Sequence, residues 1–450
     1  MSIVTKVFLL RVDSLAIGGL GVGRKDGLVV FLPFVAPGEL VKARVLKKKK
    51  DYLIAKPLEV VEASEKRVSP PCRHFGVCGG CLLQHLDYET QILYKGEEVR
   101  TALKRIGSIE GVELRPTIPS PKIFRYRNKL EFTFGTHKQG SHLEPILGFH
   151  TRNNYWKVIP IEDCLLMPEG GKEILASCLD YLKGNPLSIY QIRSHHGLLR
   201  FLMMRHSVWR DEWLVNIITS EEDIRIKGLG DYLQGRKGLR SLVNNINPRL
   251  AATAMGEREI VLFGDGFLEE RISLREYRLS SNSFFQVNTH ALPILLDTIS
   301  TSLDICGDEE LIDAYSGIGT IGIHMADRVK RVTSIELLPT NRELALLNMR
   351  RNGIGNMTLL EGKTEDLLGG VLKRDSLLIL DPPRSGLHKR VLKTIMEVLP
   401  RKVVYISCNP TTLARDLSVM KEQYEMVSVQ PIDMFPQTPH VETVVGLRLR

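Results

Sequence analysis

The sequence has no apolar run that approaches the roughly 18 residues a helix needs to cross a bilayer. Its first residues lack the charged, apolar and small-residue regions of a signal peptide. The seven cysteines are an odd number, which argues against a secreted disulfide scaffold. From these absences we expect a cytoplasmic, monomeric protein without a membrane partner.

What the chain does have is an excess of basic residues. Lys and Arg number 61 against 52 Asp and Glu, which gives a formal net charge of +9. Because positive charge attracts polyanions, nucleic acid is the favoured partner. The 450 residues suggest two to four domains of about 150 residues each.

Short β-rich runs separated by Gly and Pro turns occupy residues 1–62, a pattern that indicates a small barrel. The run Lys47–Lys50 lies before the last of these strands, either as a solvated turn or as a contact to an RNA backbone. The segments Gly18–Arg24 and Phe31–Glu39 resemble those of a TRAM domain. That resemblance implies an RNA-binding appendage.

Three cysteines follow in a glycine-rich loop, as Cys72-x5-Cys78-x2-Cys81. Thiolates at such spacing can surround one soft metal centre, either zinc or an iron–sulfur cluster, and unligated thiols are the alternative. A fourth ligand has to come from elsewhere, and the candidates are Cys164, Cys178 and Cys306.

Residues 63–279 are expected to form a central α+β domain. An amphipathic helix is predicted from Tyr88 to about Ile106. The stretch Phe124–Phe134 interleaves aromatic and basic residues, which predicts a strand with Arg125, Arg127 and Lys129 on a face that contacts phosphates or plain solvent.

From about residue 280 strands alternate with helices, which predicts a parallel sheet of the Rossmann type over residues 280–450. Gly317, Gly319 and Gly322 form G-x-G-x-x-G between a strand and a helix. The next strand ends at Glu336, a carboxylate suited to the hydroxyls of a ribose in NAD or S-adenosylmethionine. A tight turn without a ligand is the alternative.

Three further residues stand at strand ends of this domain. Asp381 opens an Asp-Pro-Pro loop, which is typical of methyltransferases and foreign to dehydrogenases. Cys408 follows the strand Val403–Ser407 and is either a nucleophile or a small core residue. Glu442 lies near the start of a terminal strand and would otherwise be an edge charge.

A cysteine and a carboxylate at one sheet edge suit methylation of a pyrimidine at C5. Uracil C5 is not nucleophilic, so a thiolate must add to C6 before C5 can accept a methyl group. A base then removes the C5 proton and the thiol leaves. Cys408 and Glu442 fit these two roles.

The sequence is similar to the RNA 5-methyluridine methyltransferases, above all the bacterial 23S rRNA uracil-C5 branch with a TRAM domain and a [4Fe–4S] cluster. The motifs that carry this resemblance are Ser283–Asn288, Asp381–Arg384, Ser407–Pro410 and His440–Val444. The resemblance implies an α/β catalytic domain that acts on RNA, most often 23S rRNA, with tRNA as the alternative.

The resemblance also implies residue roles. Cys408 would be the nucleophile and Glu442 the base, with Asn409 and Arg384 in support. The residues around S-adenosylmethionine would be Gln286, Tyr315, Glu336 and Asp381. The cluster ligands would be Cys72, Cys78, Cys81 and Cys164.

Two residues depart from the family pattern. Ser316 stands where many members have Cys, and Thr320 where many have Asn. Because backbone amides dominate such a turn, we expect cofactor binding to survive. A non-catalytic RNA-binding protein is one rival interpretation. A second is methylation of cytosine at C5, but that reaction usually needs another cysteine, and the sequence has none near Cys408.

Overall fold

A computed structural model describes residues 6–139, 142–152, 154–250 and 253–450. The first five residues of the expected barrel therefore lie outside the described part of the chain. No helix among the described residues is long and apolar enough to cross a membrane.

The N-terminal sheet forms because small turns let short alternating strands bury one face. In β5 the burial alternates residue by residue, with Val41, Ala43 and Val45 in the core and the lysines outside. The six strands are ordered β1-β5-β6-β4-β3-β2. Their bounds are β1 Val7–Arg11, β2 Ser14–Leu15, β3 Gly21–Lys25, β4 Leu28–Leu32, β5 Leu40–Lys48 and β6 Tyr52–Glu62.

Helix α1, Tyr88–Arg105, connects this sheet to the rest of the protein. The Asp87 carboxylate caps it by accepting the amide N–H of Thr90 at 2.6 Å. Its buried face includes Gln91 and Lys95, and the helix packs against the C-terminal domain.

A seven-stranded central sheet has the order β13-β12-β11-β10-β7-β8-β9. Helix α2 packs on β8 and helix α3 on β12 and β13, so that one apolar core lies between the helices and the sheet. The elements are β7 Lys129–Gln139, β8 His142–Thr151, β9 Asn154–Pro160, α2 Gly171–Gly184, β10 Leu199–Ser207, β11 Glu212–Thr219, α3 Arg225–Leu233, β12 Leu239–Ile246 and β13 Arg258–Phe263.

The strand predicted over Phe124–Phe134 is only partly present, because the extended run begins at Lys129. Arg125 has a positive φ of 55° and its guanidinium binds the Asp163 carboxylate at 2.6 Å. Tyr126 is fully buried, with its hydroxyl donating to the carbonyl of Pro436 at 3.0 Å. These tertiary contacts bend residues 124–128 away from the sheet.

The C-terminal sheet has the order β18-β17-β16-β19-β20-β22-β21. Strands β16 to β20 pair in parallel, whereas β22 lies antiparallel between β20 and β21. The order reverses between β16 and β19, and ligands bind at such a point in open α/β sheets. The elements are β14 Phe267–Ile272, β15 Arg275–Ser280, α4 Leu292–Leu303, β16 Glu310–Asp313, α5 Thr320–Met325, β17 Arg331–Glu336, α6 Pro339–Arg351, β18 Met357–Glu361, α7 Thr364–Val371, β19 Leu377–Leu380, α8 Lys389–Val398, β20 Lys402–Ser407, α9 Pro410–Met420, β21 Tyr424–Ile432 and β22 Glu442–Leu449.

Candidate active site

Two carboxyl groups flank the point where the strand order reverses. Asp313 ends β16 and is fully buried, and Asp381 directly follows β19. Desolvation, together with their mutual repulsion in the case of Asp381, raises the pKa of each carboxyl to about 7. Oδ2 of Asp313 accepts the amide of Gly322 at 3.1 Å, while its Oδ1 is buried without a partner.

The glycine turn after β16 is built for backbone binding. Gly317 and Gly319 have φ values of 56° and 83°, a conformation that a side chain would strain. Glu336, at the end of β17, accepts the amide of Gly317 at 2.9 Å and that of Leu338 at 2.7 Å. The carboxylate and the turn that the sequence predicts to act together are therefore in contact.

Gln286 reaches the same edge from the segment before α4. Its Nε2 donates to Oδ2 of Asp381 at 3.4 Å. The backbone of this segment is held from the central domain, because Nδ2 of Asn128 donates to the carbonyl of Gln286 at 2.9 Å. Arg205 of β10 donates to the carbonyl of Ser283 in the same way, at 2.5 Å.

Tyr315 lies half-buried in the turn between Asp313 and Gly317. Burial and the nearby Glu365 raise the pKa of its phenol to about 12, so it is a neutral hydrogen-bonding group. Ser316 is buried and its hydroxyl donates to the carbonyl of Ile335 at 3.3 Å. The Ser316 side chain is thus engaged with β17, whereas Thr320 begins α5.

Cys408 and Glu442 face each other across neighbouring strands. Ser407 pairs with Thr443 in the antiparallel ladder of β20 and β22, so the next step in the register sets Cys408 opposite Glu442. Burial, then the negative charges of Glu442 and Asp381, raise the pKa of the thiol to about 11. Burial and Asp381 likewise raise the pKa of the Glu442 carboxyl well above its ordinary value.

Arg384 is a cation close to this pair, and it lowers the pKa of both groups against the larger effect of burial. Its loop is tied to the cysteine loop, because Nδ2 of Asn409 and the hydroxyl of Thr412 donate to the Arg384 carbonyl at 3.0 and 3.2 Å. Asn409 also caps α9. Burial and the neighbouring cations lower the pKa of His440 to about 4, so its imidazole is neutral.

Four of the seven cysteines line one cavity of about 500 Å³, bounded by Cys72, Cys78, Cys81 and Cys164. The Arg125–Asp163 pair holds the Cys164 turn, since Nη1 of Arg125 also donates to the Cys164 carbonyl at 3.1 Å. Cys178 lies instead in the core under α2, and Cys306 is exposed elsewhere. Within the described ranges, no three Cys, His, Asp or Glu side chains have an arrangement that could hold a metal ion.

Some residues of the site were not predicted. Asp313 could have been found, since it is an acid at a strand end directly before the glycine turn. Asn128 and Arg205 act on the Gln286 segment from distant strands, and no local pattern distinguishes them.

Comparison with known proteins adds two family matches. Residues 234–450 match the model of the tRNA (uracil-5-)-methyltransferase family, and residues 2–58 match the TRAM domain. A TRAM domain was the expectation for the barrel, and this match confirms it.

Curated relatives match along nearly the whole chain. An uncharacterized RNA methyltransferase of Halalkalibacterium halodurans is 35% identical, with 98% of this chain and 96% of the relative covered. One of Chlorobaculum tepidum is 36% identical, with 91% and 89% covered. Among solved structures, the Pyrococcus abyssi tRNA (uracil-54, C5)-methyltransferase in complex with S-adenosyl-L-homocysteine aligns with a TM-score of 0.78 at 28% identity, over 99% of this chain and 100% of that one.

We expect Arg384→Gln and Glu442→Gln to shift the titration of Cys408 in opposite directions. Loss of the Arg384 cation raises the pKa of the thiol and loss of the Glu442 carboxyl lowers it. Iodoacetamide alkylates the thiolate form of cysteine, and the fraction of thiolate rises about tenfold for each pH unit below the pKa. The measurement is the alkylation rate between pH ~7 and ~9, from mass spectrometry of the Cys408 peptide.

Arg390→Gln is the matched control, because Arg390 is an exposed arginine whose partner is Asp366 rather than Cys408. It should alkylate as the wild type does. Indistinguishable rates for wild type, Arg384→Gln and Glu442→Gln would contradict the electrostatic arrangement.

Proposed function

The chain belongs to the tRNA (uracil-5-)-methyltransferase family, and from that premise we propose that it methylates uracil C5 in RNA through a covalent adduct between Cys408 and uracil C6. The observation that carries the proposal is the register of β20 and β22, whose last pair, Ser407 and Thr443, adjoins Cys408 and Glu442, together with the effect of the Glu442 charge on the pKa of the thiol. Because an RNA base inside a duplex is out of reach, the target uridine is unpaired or is extruded into the site.

In the proposed reaction the Cys408 sulfur forms a bond to C6 and the electrons of the C5=C6 double bond move toward O4. C5 would then form a bond to the methyl carbon of the donor, while the bond between that carbon and the donor's sulfur breaks and the sulfur keeps the electron pair. Glu442 takes the C5 proton, and the returning electron pair re-forms the double bond as the C6–S bond breaks. The raised pKa of the Glu442 carboxyl makes its ionised form a stronger base than a solvated carboxylate.

S-adenosylmethionine supplies the methyl group in this proposal. Gln286, Tyr315, Glu336 and Asp381 would hold it at the turn where the strand order reverses. Its fit is supported by Oδ1 of Asp313, a buried oxygen that has no hydrogen-bond partner and is therefore available to a ligand. The buried hydroxyl of Ser316 points into the protein, so the departure at this position leaves the turn intact.

We expect Cys408→Ala to lose methyl transfer and adduct formation together, because it removes the proposed nucleophile. Glu442→Gln should form the adduct and accumulate it, since the C5 proton then has no acceptor. The measurement uses unmodified RNA with labelled S-adenosylmethionine, followed by denaturing gels.

Cys306→Ala, at an exposed cysteine outside the site, is the control and should retain wild-type activity. Absence of both transfer and adduct in the wild-type protein would refute the enzyme proposal in favour of a non-catalytic RNA-binding protein.

We further propose that Cys72, Cys78, Cys81 and Cys164 hold a [4Fe–4S] cluster. Four thiols around one cavity suit a polynuclear cluster, which spreads its ligands more widely than the tetrahedron around one zinc ion. Such a cluster would brace the segment between the barrel and the central sheet.

Protein purified without oxygen should therefore be coloured and contain iron. Cys164→Ser should lose both, because it removes one of four ligands. Cys178→Ser, at a buried cysteine in α2, should keep them. Colourless protein with stoichiometric zinc would refute the cluster, as would equal iron content in the two variants.

For the RNA we propose 23S rRNA, with tRNA as a second candidate. One observation supports tRNA as the second candidate: the P. abyssi relative of similar length acts on uracil 54 of tRNA. Mapping of 5-methyluridine in rRNA and tRNA from a strain without this protein distinguishes them. We expect a site to be lost from 23S rRNA, and a loss confined to tRNA would contradict this choice.

A further inference from the structure

The Glu442 side chain, at the edge of the C-terminal sheet, is held without hydrogen bonds of its own. In the described part of the chain, no hydrogen bond reaches the carboxyl group of Glu442, although it is buried. Its backbone is paired at the end of β21, where Ile432 lies opposite Glu442. Residues 433–441 connect the two strands, and we call them the β21–β22 loop.

This loop is held from outside its own sheet. Lys95 of α1 donates to Oδ1 of Asp433 at 2.5 Å, and both side chains are fully buried. The same ammonium group donates to the Phe435 carbonyl at 3.1 Å. Tyr88 donates to Oδ2 of Asp433 at 2.9 Å, so both oxygens of that carboxylate are taken by one helix.

A second attachment lies farther along the loop, at Gln437. This residue has a positive φ of 69°, which a side chain other than glycine adopts at a cost. Gln91 of α1 compensates by a reciprocal pair of bonds: its Nε2 donates to Oε1 of Gln437, and its Oε1 accepts the Gln437 amide, both at 3.1 Å.

The other side of Gln437 meets the cysteine segment. The amides of Leu82 and Leu83, directly after Cys81, donate to the Gln437 carbonyl at 3.0 and 3.1 Å. The backbone of the loop is therefore fixed between α1 and the end of the segment that carries three of the clustered cysteines.

We propose that Gln91 is a positioning residue that sets Glu442 against Cys408 through Gln437. It does not touch the reacting atoms. Its two hydrogen bonds hold the loop in a strained turn five residues before Glu442, and the two amides after Cys81 bind the carbonyl of the same Gln437. Proton removal from C5 depends on the placement of the Glu442 carboxyl, which has no hydrogen bond of its own. A looser β21–β22 loop should therefore slow this step.

The inference rests on the proposed reaction, in which Glu442 resolves the adduct. Gln91→Met keeps the length and volume of the side chain but removes both bonds to Gln437. The adduct should then persist about tenfold longer or more, while its rate of formation and the KM for RNA stay near wild type. A general loss of fold would instead reduce the active fraction without lengthening the life of the adduct.

Two further variants sharpen the result. Tyr88→Phe removes one hydroxyl from Asp433 without changing the packing volume, and it should lengthen the adduct lifetime less. Asn244→Leu is the matched control, because this equally buried amide donates to Ile217 and Thr219 within the central sheet. It should leave the adduct lifetime unchanged, and a lengthening equal to that of Gln91→Met would overturn the proposal.

Hydrogen exchange of the full-length protein tests the same inference without chemistry. In Gln91→Met the peptide that covers residues 433–442 should exchange faster than in wild type and in Asn244→Leu. Unchanged exchange, or equal slowing of adduct formation and resolution, would overturn the role of Gln91. If wild-type protein transfers no methyl group at all, the proposed function fails, and the exchange result alone then decides whether the loop is held as described.

Discussion

Three carboxyl groups lie buried at one edge of the catalytic sheet, and each has to keep a proton or find a positive partner. Asp313, Asp381 and Glu442 all have a raised pKa because burial disfavours their charged forms. Arg384 is the cation close enough to favour ionisation of Glu442. In the proposed reaction the positive charge of the methyl donor would arrive beside Asp381, so ligand binding and the charge state of the edge are coupled.

The site is also composite in its construction. The C-terminal sheet supplies the groups that are proposed to react, but the central domain holds the Gln286 segment through Asn128 and Arg205. Helix α1 holds the β21–β22 loop through its buried lysine and glutamine. The edge of the C-terminal sheet therefore depends on three packed units: the sheet itself, the central domain and helix α1. The latter two hold the segments next to the groups that are proposed to react.

The sequence predicts the parts of this site that depend on local pattern. Glycines after β16, an acid at the end of β17 and a cysteine after β20 all follow from strand and turn signals. The α/β methyltransferase fold with an N-terminal TRAM domain is confirmed. The strand predicted over Phe124–Phe134 is present only from Lys129 onward, because Arg125 pairs with Asp163 in a turn. Strands β18 and β21 were missed, and the Gln91–Gln437 contact joins residues 346 positions apart, which no local pattern encodes.

The insertion of β22 between β20 and β21 has a consequence for how the protein folds. The ladder of β20 and β22 ends next to Cys408 and Glu442, so the proposed pair depends on the placement of β22 between its two neighbours. A partly folded chain then has no competent thiol–carboxyl pair. Assembly of the proposed site and burial of Val444, Val445 and Leu447 in the core therefore depend on the same strand.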